Sequence, residues 1–419
     1  MKKDKTDVLV IGAGPAGSIA ASMINQAGFK VRVVEREKFP RFVIGESLLP
    51  RCMEVLQEAK LLESVKKKNF QEKFGAKFLR GDNEVADYNF AEQFTTGWNW
   101  TWQVPRAEFD LALSTEIQAQ NIQVDFETTV TGIEFLENEQ SVTTVQRKDS
   151  TTEEIEARFI VDASGYGRVI PRLFKLEKPS SLDPRKAVFA HVKDIHRDSF
   201  EEPNRIIIVV YAPAVWVWII PFSNGITSVG FVGSHDFFSA YAEDLNVKFT
   251  ALIQGLPYLK KRFSDAPLVF EPRKLESWSS ISEKFYGSGF VLTGNVTEFL
   301  DPIFSSGVMF AAVSSHEASK LVIKKLKGEL VDWEHEYTKK LQSGVNTFRA
   351  FVTAWYDGTL EKIFFTHDPD PLVKSQITSV LAGYVWDERN PFVKDPDAAL
   401  RGLVKRIDAR DRFIAQQKL

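Results

Sequence analysis

Residues 7–17 read D-V-L-V-I-G-A-G-P-A-G, an apolar run leading into Gly12, Gly14 and Gly17 at the spacing G-x-G-x-x-G. In a strand–turn–helix, that spacing holds a pyrophosphate. Gly12 permits the tight turn, Gly14 lets the backbone approach the phosphates, and Gly17 allows close contact between helix and strand. Pro15 and Ala16 lie in the turn that leads into the helix, whose N-terminus stabilises negative charge. Glu35 ends the next apolar run, where a carboxylate can accept hydrogen bonds from a ribose diol. A second group of residues is V-W-V-W-I-I-P-F, 215–222. Period-2 geometry puts Trp216 and Trp218 on one face of a strand and Val217 and Ile219 on the other. Each tryptophan can bury roughly 200 Å², so this face is either core packing or a wall around chemistry. W-T-W-Q-V-P, 100–105, has nearly the same form.

These residues need elements to hold them. Residues 7–11 are a continuous apolar run of the kind found in buried parallel strands. A helix over 18–26 ends at Gly28, and a second strand covers 30–35. Residues 50–68 have helical periodicity, with Val55, Leu56, Leu61, Leu62 and Val65 as the buried stripe. Two strand-rich regions follow, at 74–104 and 185–233. Between them F-D-L-A-L-S-T-E-I-Q-A-Q reads as a helix, and R-F-I-V-D-A-S-G ends a buried strand. A short strand lies within 289–295, and from residue 307 the chain is mostly helical. There is no internal repeat beyond the two tryptophan motifs, and no low-complexity linker.

Composition excludes several classes of function. The chain has 419 residues, 44% hydrophobic and 26% charged, with a net charge of −3. That is ordinary for a globular protein and gives no footprint for nucleic acid. Lys66–Lys68 reads as a solvated helix face. One cysteine, Cys52, rules out an internal disulfide framework or a cysteine metal cluster. The six histidines lack metal-ligand spacing, so no metal is expected. No G-x-S-x-G elbow occurs. Asp4 and Asp7 break up what could pass for the basic start of a signal peptide. No run of about 18 apolar residues exists to span a membrane. The expected location is cytoplasmic, and the triplets at Asn99 and Asn295 are taken as chance matches to a glycosylation signal.

Further segments resemble flavoproteins of the hydroxylase-like FAD family. R-F-I-V-D-A-S-G-Y-G-R, residues 158–168, is similar to that family's D-x-x-G segment, with Asp162 and Gly165. Residues 290–308, with Gly294, Asn295, Asp301 and Pro302, resemble the late segment that contacts the ribityl chain and ring. F-P-R-F-V-I-G-E-S-L-L-P-R resembles the loop after the second strand, with Arg41, Glu46 and Ser47 near the flavin. Arg36 follows the ribose-binding Glu35. Q-V-P-R-A-E-F-D, 103–110, matches the segment that places Arg106 near the cofactor. The resemblance implies FAD. One departure is Asn295, where the family usually has aspartate. Asn keeps an acceptor oxygen without the charge, which would suit flavin collected from solution.

Within that fold the chain resembles the flavin-dependent halogenases, most closely the phenol- and pyrrole-type branch. W-V-W-I-I-P fits their W-x-W-x-I-P motif, and F-L-D-P-I-F-S-S-G fits F-x-x-P-x-x-S-x-G. The resemblance implies that Trp216 and Trp218 separate substrate from flavin and that Ser306 and Gly307 hold a halide. Lys73, in K-F-G-A, takes the position of the family's catalytic lysine. The second tryptophan copy, at Trp100 and Trp102, is expected to pack in the substrate sheet. The expected reaction uses FADH2, dioxygen and halide to halogenate a small, electron-rich aromatic substrate, free or tethered to a carrier protein. G-Y-G-R-V-I lacks a third glycine for a nicotinamide cofactor, so a separate flavin reductase is the implied partner. No nucleic-acid or membrane partner is implied. Residues 347–365 resemble an aromatic helix whose Phe348, Phe351, Trp355, Phe364 and Phe365 either line a pocket or pack in the core. The last helix is read as amphipathic and docked on the body.

The expected fold class is α/β: a Rossmann-type FAD-binding domain with an inserted β-sheet substrate domain and a helical C-terminal extension. The FAD domain would use 1–78, 105–170 and 285–325. The substrate sheet would use 79–104 and 171–284, and the helical region 326–419. Two rivals share these motifs. One is a monooxygenase or dehydrogenase of the same fold, and the other is a non-catalytic flavin-binding or carrier-docking protein.

Overall fold

The computed structural model describes residues 3–81, 83–276 and 278–417. The chain forms two compact units, each assembled from three stretches. One comprises Met1–Phe70, Val104–Ser181 and Ser279–Gln342, and the other Gln71–Gln103, Leu182–Trp278 and Ser343–Leu419. The division differs from the sequence-based boundaries in several places, with 171–181, 279–284 and 326–342 falling in the first unit. Lys73 and its strand belong with the second unit, and so do the C-terminal helices from residue 343.

The first unit is built on an eight-stranded sheet. Its main path runs Tyr286–Gly287, Phe290–Leu292, Thr152–Asp162, Lys3–Ile11, Val31–Val34 and Gln123–Asp125. Lys3–Ile11 is parallel to both neighbours, as its unbroken apolar run requires. Val8, Leu9 and Val10 are fully buried. Ile11 pairs with Asp162 and with Val34, and Asp162 with Leu292. Four strands therefore end level with one another at their carboxyl ends, the place where open α/β sheets bind ligands. The helices Pro15–Gln26, Arg106–Ala119 and Ser306–Leu326 belong to this unit.

The helix expected over 50–68 is broken into Arg51–Glu58 and Leu62–Lys66. Lys60 takes a left-handed conformation (φ 56°), and Leu61 N–H donates to Leu56 O at 2.8 Å. This is a C-terminal cap made without the usual glycine, so the periodicity continues straight across it.

The second unit holds a seven-stranded sheet in the order Arg273–Glu276, Lys186–Lys193, Ile226–Gly233, Val215–Pro221, Ile207–Ala212, Gly75–Arg80 and Glu84–Asn89. All pairs are antiparallel except Ile207–Ala212 with Gly75–Arg80. Val217 and Ile219 point into a core with Val188, Phe231, Phe249, Leu252 and Leu259, which the helices Leu245–Gln254 and Pro257–Phe263 help to form.

The strand-rich reading of 74–104 is too generous. Strands occupy only Gly75–Arg80, Glu84–Asn89 and Thr101–Gln103. Thr101–Gln103 pairs with Gln71–Lys73 in a separate two-stranded ribbon. Trp102 therefore packs in that ribbon rather than in the substrate sheet. No described helix is long and apolar enough to cross a membrane.

Candidate active site

The glycine turn lies at the level strand ends. Gly12 has φ 99°, and a Cβ there would stand 2.6 Å from Ala163 O. A Cβ on Gly17 would fall 1.8 Å from Gly12 O, so both residues are fixed by the turn itself. Gly14 is different. A Cβ there would meet nothing nearer than Arg41 Nη2 at 3.5 Å, an ordinary contact. Its own surroundings do not require glycine, whereas a diphosphate lying against the backbone would. Pro15 begins the helix, and the first-turn N–H groups of Ala16 and Gly17 have no acceptor within it. Both oxygens of Glu35 are anchored, Oε2 by Ala13 N–H at 2.9 Å and Oε1 by Glu37 N–H at 2.8 Å. Each keeps a lone pair for a hydroxyl.

Cationic groups flank the turn. Buried Asp110 accepts from Arg106 Nε at 2.8 Å and from Arg41 Nη1 at 3.0 Å. Two guanidiniums on one carboxylate leave a net positive charge beside Gly14, which suits an anion. Arg106 also donates to Ile44 O at 3.0 Å, fixing the loop that carries buried Glu46 and Ser47. Arg36 is exposed and pairs with Glu37 at 3.1 Å.

Asp162 is wholly buried and caps the following turn. Its Oδ1 accepts from Ser164 N–H at 3.0 Å and its Oδ2 from Ile170 N–H at 2.7 Å. Burial pushes its carboxyl above the usual range. Gly165, at φ 57°, lies in that turn.

The late segment is held by a residue the sequence reading did not single out. Arg168 Nη1 donates to Asn295 O at 3.0 Å and to Ser280 Oγ at 2.9 Å, and its Nη2 to Ser282 Oγ at 3.0 Å. A lone arginine closing the D-x-x-G segment was the available signal. Gly294 N–H donates to Ser314 Oγ at 2.7 Å. Asp301 accepts from Ile303 N–H at 3.0 Å, capping the short turn that Pro302 opens. Ser305, at φ 58°, then leads into the 21-residue helix Ser306–Leu326. The N–H groups of Ser306 and Gly307 are therefore at a helix N-terminus, a setting that favours an anion. The Phe299 ring lies against Gly307, 3.0 Å from where a Cβ would be.

In the second unit Lys73 is only 3% exposed, and its ammonium stands 5.4 Å from the centroid of the Phe90 ring. Gly75 turns the chain out of the lysine strand at φ 154°, where a Cβ would fall 2.0 Å from Tyr88 O. The K-x-G-A spacing thus has a local cause.

Trp216 and Trp218 share a face, their ring centroids 6.0 Å apart. Trp216 Nε1 donates to Tyr356 Oη at 3.1 Å, and Trp218 Nε1 to Ser228 Oγ at 3.0 Å. Trp218 lies over Gly230, where a Cβ would come 2.1 Å from its ring. The Arg185 guanidinium sits 3.9 Å from the Tyr356 centroid. Tyr356 escaped the sequence reading because nothing local marks it. Phe348, Phe351, Trp355 and Phe364 are buried core residues, and Phe365 lies beneath Arg80 at 4.5 Å. Among the described residues no group of three or more His, Cys, Asp or Glu could hold a metal ion.

Level strand ends, a glycine turn with room at Gly14, and flanking arginines have the character of a dinucleotide-binding turn. The chain belongs to the FAD binding domain family, whose sequence profile matches residues 5–232. It is 28% identical over 414 residues to a 1H-pyrrole-2-carbonyl-(peptidyl-carrier protein) chlorinase of Pseudomonas fluorescens, covering 93% of this chain and 91% of that one. A crystal structure from Cytophaga hutchinsonii, described as a flavoprotein/dehydrogenase, is 54% identical with a TM-score of 0.95, covering 97% of this chain and all of the other. The flavin-dependent brominase Bmp2 shares the fold at 24% identity and a TM-score of 0.83, covering 97% of this chain and all of its own.

Proposed function

We propose that this chain is a flavin-dependent halogenase acting on an electron-rich aromatic ring. The observation that carries the reading is Lys73. It is 3% exposed with its ammonium 5.4 Å from the centroid of the Phe90 ring, and its K-x-G-A setting resembles that of the halogenases' catalytic lysine.

The glycine turn of Gly12, Gly14, Pro15, Ala16 and Gly17 would take the FAD diphosphate, with Arg41 alongside and Glu35 on the ribose. Arg36 would flank the adenosine end. Glu46, Ser47, Arg106, Gly294, Asn295, Asp301 and Pro302 would border the ribityl chain and ring. Asp162 and Gly165 would shape the turn beneath it. Bound in reduced form, FAD supplies the two electrons for FADH2 + O2 + X⁻ + H⁺ → FAD + HOX + H2O. Ser306 and Gly307 N–H groups would replace the halide's lost hydration. The Lys73 amine then either hydrogen-bonds hypohalous acid or condenses with it, RNH2 + HOX → RNHX + H2O. Transfer to the ring, ArH + RNHX → ArX + RNH2, regenerates the amine. This step needs the neutral form of the amine. Trp216 and Trp218 would keep the ring away from direct oxidation. The reduced flavin would come from a separate reductase, and the ring could arrive free or on a carrier protein.

A dehydrogenase reading has one observation in its favour, the description of the 54% identical neighbour. Rapid mixing of the protein and reduced FAD with oxygen, with and without bromide or chloride, separates the two. Halogenation predicts that halide changes the flavin trace and that an added scavenger traps hypohalous acid. A trace indifferent to halide, with nothing trapped, would reject halogenation.

A further inference from the structure

Tyr166 directly follows Gly165, beyond the carboxyl end of the strand Thr152–Asp162. The proposed reaction gives it no part. Asp162, Ala163 and Arg168 around it are buried, whereas Tyr166 is 39% exposed, the one exposed residue within 161–170. A tyrosine on an outer surface would need no explanation. This one is differently placed. Burial pushes its phenol up to about 12, with the Arg106 guanidinium pulling the other way. A ring that is open to solvent while its phenol is desolvated lines a recess.

Its neighbours say which recess. The Tyr166 ring meets Phe299 edge-on, with centroids 5.7 Å apart at 70°. Phe299 lies against Gly307, at the start of the helix Ser306–Leu326. Arg106, whose charge the phenol feels, shares Asp110 with Arg41, and Arg41 is the nearest group to Gly14. A Cβ on Gly45 would stand 3.1 Å from Arg106 Nη1 and 4.0 Å from Val308, so Arg106 and the helix start converge there. Tyr166 therefore adjoins both groups of residues assigned to FAD, those of the glycine turn and those of the late segment. Its hydroxyl has no hydrogen-bond partner among the described residues. Ligand recesses are lined in this way, by aromatic rings with a few polar groups left for the occupant.

We infer that Tyr166 is a contact residue for bound FAD, its open ring and hydroxyl being covered when the cofactor seats. The inference rests on FAD binding at the glycine turn and is independent of what the flavin then does. Phe174 serves as an internal reference. It is 40% exposed, nearly the same as Tyr166, but packs on Phe135.

The test is hydroxyl-radical footprinting of the full chain, read by peptide mass spectrometry, without FAD and with FAD at about 100 times its dissociation constant. Oxidation of Phe174 corrects for radicals consumed by free FAD. The ratio of Tyr166 to Phe174 oxidation should fall about tenfold or more when FAD is bound. An unchanged ratio, with FAD retained on ultrafiltration, overturns the inference and leaves FAD binding standing. FAD not retained at all removes the flavoprotein reading, and the inference with it. A second arm titrates FAD into Tyr166→Ala and Tyr166→Phe. The first should bind about tenfold or more weakly, and the second, which keeps the ring, within about threefold of wild type. Affinity unchanged in Tyr166→Ala overturns the contact. If that variant fails to fold, the footprint of the unaltered chain still decides.

Discussion

Gly14 and Gly17 lie three residues apart in sequence but are glycine for different reasons. A methyl on Gly17 would overlap Gly12 O at 1.8 Å, whereas one on Gly14 meets only ordinary contacts. Gly17→Ala should therefore destabilise by more than about 3 kcal/mol or prevent folding. Gly14→Ala should leave the FAD-free protein within about 0.5 kcal/mol of wild type yet weaken FAD binding about tenfold, a loss near 1.4 kcal/mol. Urea unfolding and flavin titration of the two variants measure both effects. Loss of stability in Gly14→Ala would remove the argument that this glycine serves a ligand. Lys73→Ala should lower halogenation by about 10² or more, while bromide-dependent flavin oxidation persists. Parallel loss of both would deny Lys73 its transfer role.

At the level of the element, the parallel strands are tied together by Arg32. This 1% exposed side chain reaches Asp125 at 2.6 Å, Glu153 at 2.9 Å and Asp4 at 3.0 Å. The hydrogen bond from Arg32, reinforced by Arg147, holds the Glu153 carboxyl down to about 2, below its ordinary 4.5. A depressed carboxyl stabilises the fold above its unfolded value and loses that contribution as pH falls through the folded one. Glu153→Gln should thus be less stable than wild type near pH 6, with the difference closing between about pH 4.5 and pH 2. Urea midpoints across that range would show it, and a pH-independent difference would refute it. Sequence periodicity made several elements legible. The unbroken apolar run at Val8–Ile11 gave the buried parallel strand, and the alternation through Trp216–Ile219 correctly assigned the two faces. Where a local signal was missing, the reading failed. Lys60 ends a helix in a conformation that glycine normally marks. Three-residue strands such as Gln71–Lys73 are too short to carry a period. Arg168 and Tyr356 act across more than a hundred residues of chain, so neighbouring sequence does not reveal them.

At the scale of the whole molecule, one dinucleotide fingerprint is matched to one cofactor, and on the proposed reading the reducing equivalents come from a separate reductase. NADH with FAD and this chain alone should support no oxygen consumption, whereas adding any NADH-dependent flavin reductase should start it. Oxygen uptake without the reductase would show a nicotinamide site that the sequence does not reveal. FAD at 100 times its dissociation constant should stabilise the fold by about 2.7 kcal/mol, which a denaturant series with and without FAD would measure. The spacious position at Gly14 also bears on how such a chain drifts over generations. Gly12 and Gly17 are kept by folding, since any heavier residue there removes the carrier along with its activity. Nothing in the fold defends Gly14. In a descendant that had given up its flavin, that residue would be free to change while the turn around it stayed intact.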